Sequence, residues 1–321
     1  MCKFSIIVPC YNAEKYIPTL FQMLHTEDYT DYEVVFVDDC SKDDTYQLMC
    51  EQAKQYPRYR VYQMPQNGGP GPTRNYGLSV ANGENILFCD SDDEFDIGCL
   101  SVMDQFLAEH PDADIVVFPH EIVRGKKRIL NDTYGKYTNG DRVEICAVIC
   151  GCPGPVAKIY KKSIIDAHGI EFPKRLTGED SCFLVNYSVY VKKAYKCDYL
   201  YYRYIMNSES ITHQHGHKKS IVKQSTFEVL YPVFHEHFPE VEVERFVNTH
   251  LLTYAKQMTA CGASFQEIKK FYREENRRYP QWIEQINLRN QSLYRRLIYK
   301  AMYKNHVGMI RFLMFLRRLV Y

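Results

Sequence analysis

No apolar run approaches the roughly 18 residues of a membrane-spanning helix, so none is expected. The opening run, residues 4–8 behind Lys3, is too short for a secretory signal. Twelve cysteines are present, yet no Cys-x-x-Cys pair occurs. Cys150 and Cys152 stand too close for ordinary zinc-finger spacing. With no signal, these thiols are expected free in a reducing cytosol. There is no internal repeat and no low-complexity linker. Acid is missing from one end: nothing after Glu284 is Asp or Glu, while Arg289, Arg295, Arg296, Lys300, Lys304, Arg311, Arg317 and Arg318 are all positive. Those eight cations leave a formal −7 on residues 1–284 of a chain whose total is +1. A basic tail on an acidic body implies an anionic partner for the tail.

What remains is an ordinary globular composition, 45% hydrophobic and 25% charged over 321 residues, enough for one large domain with an appendage. The first 120 residues alternate strand and helix signals. Strands are expected at 4–8, 33–37, 58–63, 85–89 and 113–118, and helices at 14–24, 43–56, 73–81 and 97–110. That alternation predicts an α/β layered fold with a mainly parallel sheet. Farther on, a hairpin is expected at 121–130 with Gly125 as its turn, strands at 155–160 and 196–203, and a helix at 179–191. From 217 the pattern is helical. The expected division is an α/β domain over residues 1–215 and a C-terminal helical region over 216–321.

In open sheets of this kind ligands bind beyond the carboxyl ends of the strands. Those ends carry Tyr11-Asn12, Asp38-Asp39 and Asp90-Ser91-Asp92. The last is the most informative. The apolar run Ile86-Leu87-Phe88 ends among Asp90, Asp92, Asp93 and Glu94. Like charges about 4 Å apart repel by about 4 kcal/mol at an effective dielectric near 20. A divalent cation with oxygen ligands is the usual remedy; the alternative is an acidic loop capping the next helix. One of Asp38 or Asp39 is expected to meet a base N–H or a ribose hydroxyl; the alternative is a purely structural role, with Asp43 or Ser41 simply capping the next helix. Asn67-Gly68-Gly69 is neither Gly-x-Gly-x-x-Gly nor a Walker loop. Arg74, four residues beyond Pro70, is either a diphosphate or base ligand or a surface arginine. Gly178-Glu179-Asp180 opens a helix, where the two acids either complement the helix dipole or supply a general base.

Taken as a series, Ser5-Ile6-Ile7-Val8-Pro9-Cys10-Tyr11-Asn12, Val35-Phe36-Val37-Asp38-Asp39, Asn67-Gly68-Gly69 with Arg74-Asn75-Tyr76-Gly77, and Asp90-Ser91-Asp92-Asp93 resemble glycosyltransferase family 2. The resemblance continues through Lys158-Ile159-Tyr160-Lys161-Lys162, Phe172-Pro173 and Gly178-Glu179-Asp180, and ends near Tyr202-Arg203 and Ser208-Glu209-Ser210. It implies a GT-A fold, Rossmann-like, with a mixed, mainly parallel sheet between helices. It implies inverting transfer of a hexosyl or N-acetylhexosaminyl group from a nucleotide diphosphate sugar, commonly UDP-linked, to a glycan or polyprenyl-linked saccharide in cell-surface polysaccharide synthesis. By the same motifs, Pro9, Tyr11 and Asn12 border the nucleotide, Asp39 reads the uracil, and Arg74 approaches base or diphosphate. Asp90 and Ser91 lie on the ribose side, Asp92 ligates Mn²⁺ or Mg²⁺, and Asp180 is the base with Glu179 its rival. Two departures stand out. Pro70 and Pro72 stiffen the loop before Arg74, with Thr73 where the family usually has alanine. His213, His215 and His217 alternate, as a solvated loop or a further metal ligand.

The tail mixes Leu297, Ile298 and Met302 with Arg295, Arg296 and Lys300, then Ile310, Phe312, Leu313 and Phe315 with Arg311, Arg317 and Arg318. Basic amphipathic helices suit an anionic membrane surface; packing on the catalytic domain or a partner subunit is the alternative. Nucleic acid is not an expected partner, since no patch combines these cations with stacking aromatics. The expected location is cytoplasmic, peripheral on the inner face of the cell membrane. Two other readings are weighed. A sugar-phosphate nucleotidyltransferase calls for a glycine-rich loop where Pro9-Cys10-Tyr11-Asn12 stands. A non-catalytic sugar-nucleotide module calls for loss of Asp92 or Asp180, and both are present.

Overall fold

The structure is a computed structural model that describes residues 2–152, 154–174, 178–206, 226–239, 264–278 and 293–320. It divides into two compact units, Met1–Ser210 and Ile211–Tyr321. The predicted boundary at 215/216 lies outside the described residues, as do His213, His215 and His217.

The first unit is built on β1 (Phe4–Cys10), β2 (Tyr32–Asp38), β3 (Tyr59–Gln63), β4 (Asn85–Phe88), β6 (Ile115–Val117), β9 (Lys158–Lys161) and β10 (Ala194–Lys196). They form a seven-stranded sheet in the order β10-β6-β9-β4-β1-β2-β3. β1 pairs in parallel with both β2 and β4, whereas β9 runs antiparallel between β4 and β6. β1 and β2 are near-continuous Val, Ile and Phe because helices cover both faces of the sheet. A smaller sheet, β5-β11-β7-β8, is made by β5 (Glu94–Phe95), β7 (His120–Arg124), β8 (Lys127–Asn131) and β11 (Tyr202–Ile205). The expected hairpin turns at Gly125, whose φ is +57°.

Helices α1 (Ile17–Met23), α2 (Thr45–Ala53), α3 (Pro70–Val80) and α4 (Cys99–Glu109) follow the first strands. α3 lies directly on β1: a Cβ on Gly77 would come within 2.4 Å of Ile7 Cγ2. Only glycine permits that approach, and it sets the height of Arg74 one turn earlier. Residues 70–72, expected as a stiff loop, are instead the helix's first turn. Pro70 occupies the first helical position, where its missing N–H is no loss, and Gly69 precedes it at φ +85°.

The sequence pattern gives no warning of α5 (Ile145–Gly151) or α6 (Lys162–His168). The single strand expected over 196–203 is two strands, β10 and β11, in different sheets. The strand expected from 155 begins only at Lys158. α7 (Glu179–Ser188) starts after Gly178, whose φ of +87° is open to glycine and costly for other residues. Its Phe183 stacks on Phe172 with ring centroids 4.0 Å apart, and both meet Phe88 edge-on. Such pairs add about 0.5–1.5 kcal/mol each beyond burial. This aromatic knot fixes α7 against the end of β4.

In the second unit, α8 (Thr226–His237), α9 (Phe265–Arg278), α10 (Leu293–Tyr303) and α11 (Val307–Val320) are described. α9 opens with a capping box: Ser264 N–H donates to Glu267 and Glu267 N–H to Ser264 Oγ. Ile268, Tyr272, Ile298, Met302, Val307 and Ile310 are buried where α9, α10 and α11 pack. No described helix is long and apolar enough to cross a membrane. The cysteines whose side chains are described are free thiols.

Candidate active site

The parallel strands deliver their ends to one edge. Asp39 N–H donates to the Cys10 carbonyl at 2.8 Å, so the segments after β1 and β2 leave the sheet side by side. Asn12 and Cys40 take left-handed conformations at φ +48° and +57°. Asparagine does so readily; cysteine does so against its preference. The two loops are stitched together. Asn12 N–H donates to Ser41 Oγ at 2.9 Å, and Lys42 N–H to Asn12 Oδ1 at 2.9 Å. The fully buried Asp38 accepts from the Ser41 N–H and hydroxyl and from Gln63. Ser41 is thus bound into this stitching and does not cap α2. Pro9 is half-buried and Tyr11 and Asn12 are exposed, so this rim faces solvent.

Asp39 is buried. Its Oδ1 accepts from Gly68 N–H and its Oδ2 from Gly69 N–H, each at 2.8 Å, and Asn67 donates to Oδ2 at 2.9 Å. Burial raises its pKa against those amides. The carboxylate predicted to read a base therefore also organises the glycine turn that launches α3.

α3 carries Arg74, the centre of the site. It is 4% exposed and bridges two acids: its guanidinium donates to Asp90 Oδ1 and to Asp180 Oδ1, both at 2.7 Å. Phe172 lies beneath it at 5.4 Å, a cation–π contact. Burial works against the charge, but Asp180 and Asp90 outweigh it and hold the arginine's pKa above its ordinary value. The surface-arginine alternative is excluded. Arg74 is a buried clasp between the end of β4 and the start of α7, with its Nε unpaired.

The acidic cluster after β4 separates into parts. Asp93 N–H donates to the Asp90 carbonyl at 3.1 Å, closing a turn with Ser91 and Asp92 at its middle positions. Ser91 and Asp92 are half-buried. Asp93 corrects the picture of four converging carboxylates. It turns inward, accepts from Tyr202 Oη and from Ile205 N–H at 2.7 Å, and is 5% exposed. Burial, with Asp90 nearby, pushes its pKa up to about 8. Tyr202 Oη in turn accepts from Asp90 N–H at 3.2 Å. Asp93 thus ties the acidic turn to β11. Glu94 points out toward Arg203 at 3.8 Å.

Asp180 keeps a third of its side chain exposed while Arg74 grips it. Burial raises its pKa; Arg74 opposes that, Asp90 adds to it, and Lys158 opposes it. Glu179, one residue earlier, is also raised, by burial and then by Asp180. Its stem packs on the first turn of α3, 3.3 Å from where a Gly71 Cβ would stand. The structure therefore brings Arg74, Asp90 and Asp180 into contact, sets Ser91, Asp92 and Glu179 beside them, and joins Asp39 to them through the glycine turn. Pro9, Tyr11 and Asn12 lie along the same edge. Residue-by-residue reading treats Asp93 only as one of the converging acids and gives Tyr202, Phe172 and Lys158 no role of their own; the partners of Asp93, Tyr202 and Phe172 are remote in sequence.

Among the described residues no three His, Cys, Asp or Glu side chains converge on a point that could hold a metal ion. The donors on the turn are carboxylate oxygens. Mg²⁺ and similar hard cations are commonly held by one or two carboxylates plus substrate phosphates, so Asp92 with Asp90 beside it fits such a cation.

Residues 5–169 match the profile of glycosyl transferase family 2. The sequence is 37% identical over 187 residues to the Staphylococcus aureus poly(ribitol-phosphate) beta-N-acetylglucosaminyltransferase TarS, covering 57% of this chain and 32% of that protein. It is 33% identical over 205 residues to the poly(ribitol-phosphate) beta-glucosyltransferase of Bacillus spizizenii, covering 62% and 32%. The chain thus spans about a third of the length of these relatives. In three dimensions it is similar to residues 1–349 of S. aureus TarS in complex with UDP-GlcNAc, with a TM-score of 0.73 and 24% identity over 99% of this chain and 92% of that one. At that identity the likeness establishes the GT-A fold.

Proposed function

We propose, from the premise that this chain belongs to glycosyl transferase family 2, that it moves a sugar from a UDP-linked donor to a glycan or polyprenyl-linked acceptor with inversion at the anomeric carbon. The observation that carries this reading is the Arg74 clasp, which binds the acid of the β4 turn and the acid of α7 into one charged edge. The relatives named as poly(ribitol-phosphate) sugar transferases support the class of reaction.

In this reading the rim of Pro9, Tyr11, Asn12 and Asp39 seats the base. Asp90 and Ser91 face the ribose, and Asp92 is the principal anchor of a divalent cation, Mn²⁺ or Mg²⁺. When bound, that cation neutralises charge on the departing diphosphate. Asp180 takes the proton of the acceptor hydroxyl, an effect of about 10² to 10⁴-fold for a placed base. Arg74 holds the Asp180 carboxylate in place while its charge opposes protonation. Inversion needs a single displacement, so no covalent nucleophile is required. Glu179 shapes the wall beside the base. Calorimetry with UDP tests the reading: binding is expected with Mn²⁺ and weakens sharply with chelator, and no binding under either condition contradicts it.

An anionic membrane surface is the partner we assign to the second unit. α11 buries Val307, Ile310 and Leu313 but exposes Met309, Phe312 and Phe315, beside a chain end rich in cations. Apolar side chains with flanking cations suit a headgroup layer, and the inner face of the cell membrane is the location proposed. Sedimentation with anionic vesicles should fall on Phe312→Ser with Phe315→Ser; unchanged sedimentation removes this partner.

A further inference from the structure

Lys158, the first residue of β9, is fully buried. Its ammonium donates to the carbonyls of Cys152 at 2.8 Å, Gly154 at 2.8 Å and Val156 at 3.2 Å, so all three of its protons are committed to one backbone turn. A buried ammonium is expensive unless paired, and its pKa is lowered by that burial. The turn it gathers ends at Ala157, whose φ of +55° is a left-handed conformation that disfavours alanine. Something must hold the chain there, and the ammonium is the group at its centre.

The location gives this arrangement a use. β9 runs antiparallel to β4, with Asn85 opposite Lys161 and Ile86 opposite Tyr160. The start of β9 therefore comes level with the end of β4, on the edge that carries Asp90. The turn emerges from α5, which packs on α7, the helix of Asp180.

We propose that Lys158 is a positioning residue for the transfer reaction: it gathers the carbonyls of Cys152, Gly154 and Val156 into a fixed turn between the start of β9 and α5, which packs on the helix of Asp180. The proposal rests on the transferase reading above and adds to it. Arg74 orients Asp180 by contact; Lys158 fixes the turn that joins α5 to β9. Lysine suits the task because its three protons radiate from one atom, whereas the planar fork of arginine cannot meet the same three carbonyls.

The test compares the full chain with Lys158→Met and Lys158→Arg. Cys152 is buried, so its labelling by N-ethylmaleimide, read by peptide mass spectrometry, reports release of the turn. Labelling should accelerate at least tenfold in both variants. UDP release from UDP-N-acetylglucosamine should lose at least tenfold in kcat, with KM within threefold of the parent. Parental labelling of Cys152 in a folded variant overturns the clamp, and a parental kcat in a variant whose labelling is accelerated overturns the positioning role. If Lys158→Met does not fold, Lys158→Arg decides the clamp by the same labelling. If the parent protein releases no UDP, the transferase reading fails separately, while the labelling still decides whether Lys158 holds the turn.

Discussion

The two halves of the site edge are held by different physics. On the side of β1 and β2, Asn12, Asp38 and Asp39 are fastened mainly by backbone amides, hydroxyls and side-chain amides. On the side of β4 and α7, charge is set against charge: Arg74 lies between Asp90 and Asp180. Amide-fastened loops make a stable rim of fixed shape, suited to recognising an uncharged ring. Opposed buried charges make an edge whose groups respond to a proton or a phosphate. We propose base recognition for the first side, and diphosphate anchoring with proton transfer for the second.

The contrast can be broken at its charged half first. Arg74→Met leaves two acids facing each other without their cation and should cost about 3–5 kcal/mol in urea unfolding, as expected for a buried pair cut on one side. Arg74→Lys should restore little, since one ammonium cannot span both carboxylates. Asp180→Asn should lower transfer by about 10² to 10⁴-fold and leave UDP affinity within about twofold; equal losses in both would erase the division. His120, buried on β7, has its pKa lowered to about 4 by burial and then by Lys158. Its stabilising effect is complete above pH 6.5 and lost as the pH falls from 6.5 through 4, because the unfolded chain takes up the proton first. That window should span roughly 3 kcal/mol, and His120→Gln should flatten it in urea titrations at pH 7 and pH 4. On the amide-fastened side the effect is smallest. Asp39→Asn sets an amide against donors from Gly68, Gly69 and Asn67, and should weaken UDP binding about tenfold with kcat nearly unchanged, the size of one charge-assisted hydrogen bond.

The same contrast explains what could be read from the chain alone. β1 and β2 are continuous apolar runs that stop at polar residues, so both the strands and the edge they serve are local signals. Gly125 and Gly178 mark turns by residue type. The 145–151 stretch, Ile-Cys-Ala-Val-Ile-Cys-Gly, is a short apolar run, and periodicity does not separate strand from helix at that length. The charged half was legible in composition but not in pairing. Arg74 meets Asp180 across 106 residues. Asp93 differs from Asp92 only in which way a turn points it, and the hydroxyl it meets on Tyr202 is 109 residues away. Lys158 sits in an ordinary strand pattern, and nothing local tells a lysine wrapped by backbone carbonyls from one in solvent.

In the proposed reaction the turn after β4 anchors the cation that holds the donor diphosphate. Calorimetry of UDP with Mn²⁺, parent against Asp92→Asn, decides this. Metal-dependent UDP binding is expected in the parent and is lost in the variant, with thermal unfolding unchanged. Equal metal-dependent affinity in the two proteins would remove that role from Asp92.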